Sequence, residues 1–482
     1  MKSLNRTDRD TFSLIIVRRN GSEILLSSGE SGWSLPSVQI LPRQRLAPQL
    51  MAELNTQLGI QAYCLFVPSF TAPDRNPPRA NHVVLESVTH NDEAPTGTCW
   101  TPRTASACQR VCPVEDAEAI TESLREMDSY GGESKRGLFG RPGWLRELFA
   151  WTQEQLSPLG LRANGKFRQF NAGPTFSLFR LATNRGAAWF KATGEPNLRE
   201  LPITLCLARL FPGNLPPILG VNTSWNGWLS EEVSNTTLDQ CTEFSVWERV
   251  AENLAELQIA SIGKCSALLD AQTNDLRIPV LNDLIAPFLA LMAELMAVQV
   301  TQSPPRLTVS ELDSLGTRLR EALLLLQNLG FPDTLGHIDF NPGNIVVSPA
   351  RCVFLDWAEA CVTHPVVTFE YLREHARRNL TQVTTASARI ATAYLRPWTT
   401  LLAPDDLAQA LTVSPLIAVF IYAVATSGWC SPETLRSRAR SAYLRSLARR
   451  MYSEAMLRAK GENNGTFNSP ISNRPAVFQF PV

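Results

Sequence analysis

The chain has 482 residues, 44% of them hydrophobic and 19% charged, a composition that suits a globular protein with a large core and leaves room for two or three domains. Lys plus Arg and Asp plus Glu number 45 each, so no general field draws in nucleic acid or anionic lipid, and neither is expected as a partner. None of the ten cysteines forms a CxxC, and Cys108 and Cys112, four apart, have no completing ligands nearby, so reduced thiols are expected rather than a zinc site.

In chain order, residues 1–10 are polar and lack the apolar core of a secretory signal. Residues 13–17 and 23–26 are β-type runs separated by Asn20-Gly21, a hairpin signal. Residues 46–58 read as a helix, 61–67 and 81–88 as strands, and 116–127 as a second helix. The stretch 130–143, YGGESKRGLFGRPG, carries five glycines and a proline, and predicts a linker at 131–143 with a second domain from Trp144.

That second domain spans 144–460. Residues 165–233 have strand character, with a turn at Asn184-Arg185-Gly186, and form a small β-rich lobe. Residues 234–460 are mostly helical and form a large lobe, and 228–233 is the hinge expected between them. Phe244, Trp247, Val250, Ala251, Leu254 and Leu257 fall at helical spacing. Leu312, Leu315, Leu319, Leu323 and Leu326 repeat the signal in a helix expected to open at Ser310-x-x-Asp313 and to stop at Gly330. The apolar runs 285–298 and 416–425 are too short to span ~30 Å of hydrocarbon and read as core helices. A cytoplasmic protein is expected. Residues 461–482, rich in Asn, Ser, Pro and Gly, predict a disordered tail. The fold class is α+β.

The chemistry concentrates at 336–347, GHIDFNPGNIVV, followed by VFLDW at 353–357. A loop presents one carboxylate, Asp339, and a carboxamide five residues later, Asn344. A strand leads away, and after a turn a second strand ends in Asp356. Phosphoryl transfer needs these parts: a carboxylate to orient an acceptor hydroxyl and take its proton, and oxygen ligands for the magnesium that neutralises phosphate charge. Asp339 fits the first role, Asn344 and Asp356 the second, and His337 braces the loop. An ordinary Asx turn explains one carboxylate in a loop, but not the His, the Asn and the second strand ending in Asp.

HxDxxxxN followed by a hydrophobic-Asp-Trp resembles the aminoglycoside phosphotransferase and choline kinase family, over roughly residues 165–450. The resemblance implies a protein-kinase-like bilobal fold, ATP and Mg2+ as cofactors, and a small hydroxylated molecule (aminoglycoside, choline, sugar or amino alcohol) as acceptor. It also implies a lysine toward the nucleotide phosphates: Lys191 ends the apolar run AAWFK, with Glu200 as its expected partner carboxylate and Glu195 as competitor. Asn171 and Gly173 fall in the loop expected to cover the phosphates, FNAGPTFS at 170–177, which has a single glycine where protein kinases have several. Glu231 is the hinge position expected to meet the nucleotide.

In the first 130 residues Trp33, Pro36, the helix and Gly59-Ile60 resemble a Nudix domain, whose box reads GX5EX7REUXEEXGU. Aligned on Gly59-Ile60, Glu53 takes the REU glutamate, but Val38, Gln44, Ala52, Thr56 and Gln57 stand where the opening Gly, the first Glu, the Arg and the two helix glutamates belong. One carboxylate cannot hold the ions of a diphosphate hydrolase, so a Nudix-like, non-catalytic domain is expected. The leading reading is an ATP- and Mg2+-dependent kinase of a small alcohol. The alternatives are a kinase-fold binding or regulatory protein without turnover, and a Nudix-type hydrolase. The acceptor, the choice of ATP over GTP and the oligomeric state are not written in these motifs.

Overall fold

A computed structural model describes residues 9–29, 32–42, 44–69, 81–89, 93–104, 114–131, 137–171, 173–195, 197–234, 236–380, 383–425 and 428–464. The chain divides into two compact units: residues 1–201 with 217–232, and residues 202–216 with 233–482.

The first unit opens with β1 (Asp10–Arg18), β2 (Glu23–Gly29), β3 (Gly32–Ser34), β4 (Ser37–Ile40), α1 (Leu46–Leu58), β5 (Ala62–Phe66), β6 (Asn81–Ser87), β7 (Thr98–Pro102) and α2 (Val114–Asp128). The strands form one mixed sheet in the order β3-β2-β1-β6-β5, with β4 on β1 and β7 on β2. The β1–β2 hairpin turns through Arg19, Asn20 and Gly21 at φ of 50°, 55° and 81°, a left-handed path that Asn-Gly tolerates. Helix α1 ends at Gly59, φ 63°, as the sequence expects. Interior β1 is buried on both faces. Leu14 and Ile16 join a core with Leu50 and Leu54 of α1, while Ile15 and Val17 point the other way, the two-residue alternation of a strand.

That second face is covered from beyond the expected linker. After α2 come a 3-10 turn at Leu138–Gly140, α3 (Trp144–Leu156), β8 (Ala163–Asn171), β9 (Phe176–Thr183) and β10 (Gly186–Thr193), then the start of α4 (Glu200–Leu210), β11 (Ile218–Asn222) and β12 (Gly227–Glu231). Strands β8–β12 form an antiparallel sheet in the order β11-β12-β10-β9-β8. One continuous core runs from Ile15, Tyr63 and Val84 through Ile120, Phe139, Trp144 and Leu148 to Phe179, Phe190 and Leu229. The sequence expects a boundary at 131–143; the structure packs the flanking residues into one unit, because the N-terminal sheet has two apolar faces and the second is covered by α2, α3 and the small-lobe sheet together. Residues 132–136 lie outside the described residues.

The second unit holds the rest of α4, then α5 (Phe244–Ala260), α6 (Cys265–Asp270), β13 (Asn274–Leu276), α7 (Ile278–Ala297), α8 (Val309–Asn328), β14 (Thr334–His337), β15 (Ile345–Val347), β16 (Cys352–Phe354), β17 (Ala360–Thr363), α9 (Val366–Asn379), α10 (Val383–Trp398), α11 (Pro404–Ala425), α12 (Pro432–Arg436) and α13 (Arg438–Asn464). Strands β13, β17 and β14 form one small sheet, β15 and β16 another. Two expectations are corrected here. Helix α8 is capped by Thr308 and Glu311, each side chain bonding the other's backbone N–H, not by Ser310 and Asp313. The run 285–298 continues through Pro287 within α7, and α7 and α11, at 20 and 22 residues, are long and apolar enough to cross a membrane. Both line the unit's core, where α11 buries most of its surface. The tail expected at 461–482 lies outside the described residues from 465 onward, as do Cys108 and Cys112; the eight described cysteines are free thiols.

Candidate active site

In the second unit, β14 ends at His337 and the chain turns at once. Gly336 permits this path: a Cβ there would lie 2.5 Å from Thr363 Cγ2 and 2.8 Å from Cys361 Sγ. The buried His337 ring packs between Trp357 and Phe340, at centroid distances of 4.8 and 5.6 Å. Its backbone N–H donates to Thr368 Oγ1 at 2.9 Å, and its Nε2 donates to the Leu355 carbonyl at 3.0 Å. The Leu355 N–H donates to the Asn344 carbonyl at 2.8 Å. Both backbone groups of Leu355 are thus pinned to the loop, which fixes the next residue, Asp356. That residue is exposed and left-handed, φ 62°, a conformation Asp tolerates better than most.

The loop side chains converge on Asp339. Asn344 Nδ2 donates to the Asp339 carbonyl at 3.1 Å and to its Oδ2 at 3.3 Å. Asn341 Nδ2 donates to Asp339 Oδ1 at 3.1 Å, while Asn341 Oδ1 accepts from the Gly343 N–H at 3.0 Å. Burial pushes the Asp339 carboxyl above the ordinary carboxylate range; His337 and the two amide donors pull it back, and Asp356 adds to the rise. Asn341 and Thr368 were missed by sequence reasoning. Asn341 stands inside an Asx-Pro pattern common to plain turns, and Thr368 reaches His337 only through tertiary packing.

These residues fit a hard cation. Both Asn344 contacts use Nδ2, so its Oδ1 remains an oxygen ligand, and Asp356 supplies a carboxylate whose charge already bears on Asp339. Among the described residues no three His, Cys, Asp or Glu side chains gather into a metal cluster; magnesium held by one or two protein oxygens and phosphate does not require one.

In the first unit, Lys191 Nζ pairs with Glu200 Oε1 at 2.5 Å, with the side chains 13% and 2% exposed. Glu200 is therefore the partner, not Glu195. The ammonium lies 5.7 Å from the Phe176 ring centre and 5.9 Å from that of Trp228. Asn171 ends β8 opposite Leu178, and Gly173 stands in open space; Ala172 between them lies outside the described residues. Glu231 ends β12 exposed, and its N–H is taken by the Pro217 carbonyl at 2.9 Å. The neighbouring Glu232 is the engaged carboxylate. It accepts from Arg180 at 2.6 and 2.7 Å and from Trp189 Nε1 at 3.0 Å, and Arg180 holds it below the usual range. The Glu-Glu pair was the available signal.

Along α1 the positions of the missing Nudix ligands are spent on the helix itself. Thr56 Oγ1 donates to the Ala52 carbonyl at 2.8 Å, and Gln57 Nε2 to Glu53 Oε2 at 3.2 Å.

The sequence profile of the phosphotransferase enzyme family (APH) matches residues 224–399, a span that contains His337, Asp339, Asn344 and Asp356. No curated protein matches the chain. Among solved structures, the macrolide 2'-phosphotransferase MphH from Brachybacterium faecium is 13% identical, with 63% of this chain and 98% of that one covered and a TM-score of 0.43. The choline kinase LicA from Streptococcus pneumoniae is also 13% identical, covering 64% and 99% at a TM-score of 0.43. An ethanolamine kinase from Plasmodium vivax is 14% identical, covering 72% and 93% at a TM-score of 0.39. At these identities and TM-scores the likenesses assign no activity; the chain's link to a known family is the profile match over 224–399.

Proposed function

We propose that the protein transfers the γ-phosphate of ATP to a hydroxyl of a small molecule. The observation that carries this reading is the Asp339 loop: a part-buried carboxylate held by two amides, with a metal-competent oxygen on Asn344 and Asp356 beyond, inside the span that matches the phosphotransferase profile. Asp339 accepts the acceptor's O–H proton as the new O–P bond forms and the β–γ bridging P–O bond breaks, with ADP leaving. Magnesium, if bound with the nucleotide, would neutralise the phosphate charge, and Asn344 and Asp356 are the residues that would hold it. His337 keeps Asp356 in register with the loop. Lys191, oriented by Glu200, meets the nucleotide phosphates, and Asn171 and Gly173 lie over them. A binding protein without turnover could use Asn344 and Asp356 to hold the metal and nucleotide but would have no use for a base at Asp339. In this reading the N-terminal region does not hydrolyse diphosphates, a view supported by Val38, Gln44, Ala52, Thr56 and Gln57 standing where a Nudix box has its Gly, Arg and metal-binding Glu residues.

The test is metal-dependent nucleotide affinity. Asp356→Ala removes one charged ligand and should weaken Mg·ATP binding by about tenfold or more in calorimetry, with metal-free ATP binding little changed. Equal Mg·ATP affinity in the variant and the parent would remove Asp356 from the metal site.

A further inference from the structure

The loop expected to cover the phosphates has one glycine, so its own backbone does little to mould it around a ligand. Its root is held from outside the kinase-like region. Among the described residues, strand β5 is an edge of the N-terminal sheet, paired only with β6. Its other edge is capped by one side chain: Cys64 N–H donates to Gln169 Oε1 at 2.8 Å, and Gln169 Nε2 donates to the Cys64 carbonyl at 2.8 Å. Gln169, on β8, is 2% exposed. The amide thus imitates a strand partner, donor facing acceptor at both ends.

Immediately after Gln169 the β8–β9 register slips, with Gln169 opposite Phe179 but Asn171 opposite Leu178. The extra residue is Phe170, and such a bulge re-aims the chain that follows. Its ring packs on Trp189 at a centroid distance of 4.8 Å. The Arg168 guanidinium lies 4.9 Å from it and that of Arg45, at the start of α1, 5.8 Å. Further along, the Pro174 carbonyl accepts from the Phe139 N–H at 3.3 Å. A Cβ on neighbouring Gly140 would come within 3.1 Å of Pro174 Cβ. Residues from α1, β5 and the 138–140 turn therefore touch the loop root at three places.

We propose that the N-terminal sheet is a fixed brace for the phosphate-covering loop, with Gln169 as its positioning residue. The inference rests on the phosphotransferase reading for what the loop contacts. Gln169 meets no nucleotide itself; it sets where the bulge at Phe170 and the turn at Gly173 lie. Rigid support replaces the adaptability that a glycine-rich loop would supply.

The experiment uses the full chain and Mg·ATP as probe. Gln169→Leu keeps side-chain bulk but leaves the Cys64 N–H and carbonyl unpaired, and should raise the Mg·ATP Kd by about tenfold. Hydrogen exchange at the Thr175–Ser177 amides should speed up while exchange in the Asp339 loop stays as in the parent. Arg45→Ala, which removes only an exposed contact to Phe170, should raise the Kd by about two- to fivefold without altering the melting temperature. A merely structural role lowers melting of Gln169→Leu and leaves Kd and loop exchange of Arg45→Ala at parent values; that result overturns the inference. If the parent chain binds no Mg·ATP, the phosphotransferase reading falls first and the brace with it. Parent binding with unchanged variants sinks the brace alone.

Discussion

At the scale of single residues, the buried carboxylates divide into those a neighbour offsets and those it does not. Glu86 of β6 accepts from the Tyr63 hydroxyl and from the Gly143 N–H at the head of α3, both on Oε2. Burial still pushes it above the ordinary Glu value, against those two bonds and the charges of Arg146 and Arg141. A carboxyl whose folded pKa is raised contributes its full stability below the unfolded value and loses it as pH rises through the folded one. At neutral pH the ionised Glu86 is therefore a cost. Glu86→Gln retains an oxygen for both donors and removes the charge. The variant should melt about 2 °C higher at pH 7, and the gain should vanish below the unfolded pKa, near pH 4. A lower melting temperature at pH 7 would mean that the negative charge at the α3 N-terminus matters more than its burial. Neither Glu86 nor Gln169 was legible as a structural residue in the sequence, because their partners lie 57 and 105 positions away. Asp339 and Asn344 stood out because they lie five residues apart in one loop, where the amide of Asn344 bonds Asp339, whereas Asp356 is held to that loop by tertiary bonds through Leu355.

At the scale of elements, local signals fixed what local energetics decide. Asn20-Gly21 marked a hairpin correctly, since its left-handed backbone excludes most other residues. The α8 cap was misplaced by two residues because Thr308-x-x-Glu311 and Ser310-x-x-Asp313 satisfy the same pattern, and only the former brings both reciprocal bonds. The connector at 131–143 was misjudged for a different reason. Its glycines and charges suit a spacer, but Phe139 and Trp144 are core residues shared with Val84 and Leu124, and shared burial is invisible to composition. A protease site inserted at 132–136 therefore tests the packing. After cleavage the two fragments should co-elute as one particle, because separation would expose the apolar face of the N-terminal sheet. Fragments that separate, with the C-terminal piece melting as before, would restore two independent domains.

At the scale of the whole molecule, the residues of the proposed transfer are divided between the two units. The first holds the Lys191–Glu200 pair and the Gln169–Cys64 contact. The second holds Asp339 with its amides and Asp356. The acceptor was not legible because, in the proposed reading, the one motif residue that meets it, Asp339, touches only its reacting hydroxyl. The most direct measurement is γ-phosphate transfer from Mg·ATP to a panel of amino alcohols, sugars, aminoglycosides and macrolides, followed by phosphorus NMR for the parent and Asp339→Asn side by side. The expected result is a phosphomonoester and ADP with at least one acceptor, and a rate lower by about 10²–10⁴-fold in the variant at nearly unchanged ATP affinity. A variant that turns over as fast as the parent, or a parent that forms no phosphomonoester with any acceptor, would contradict it.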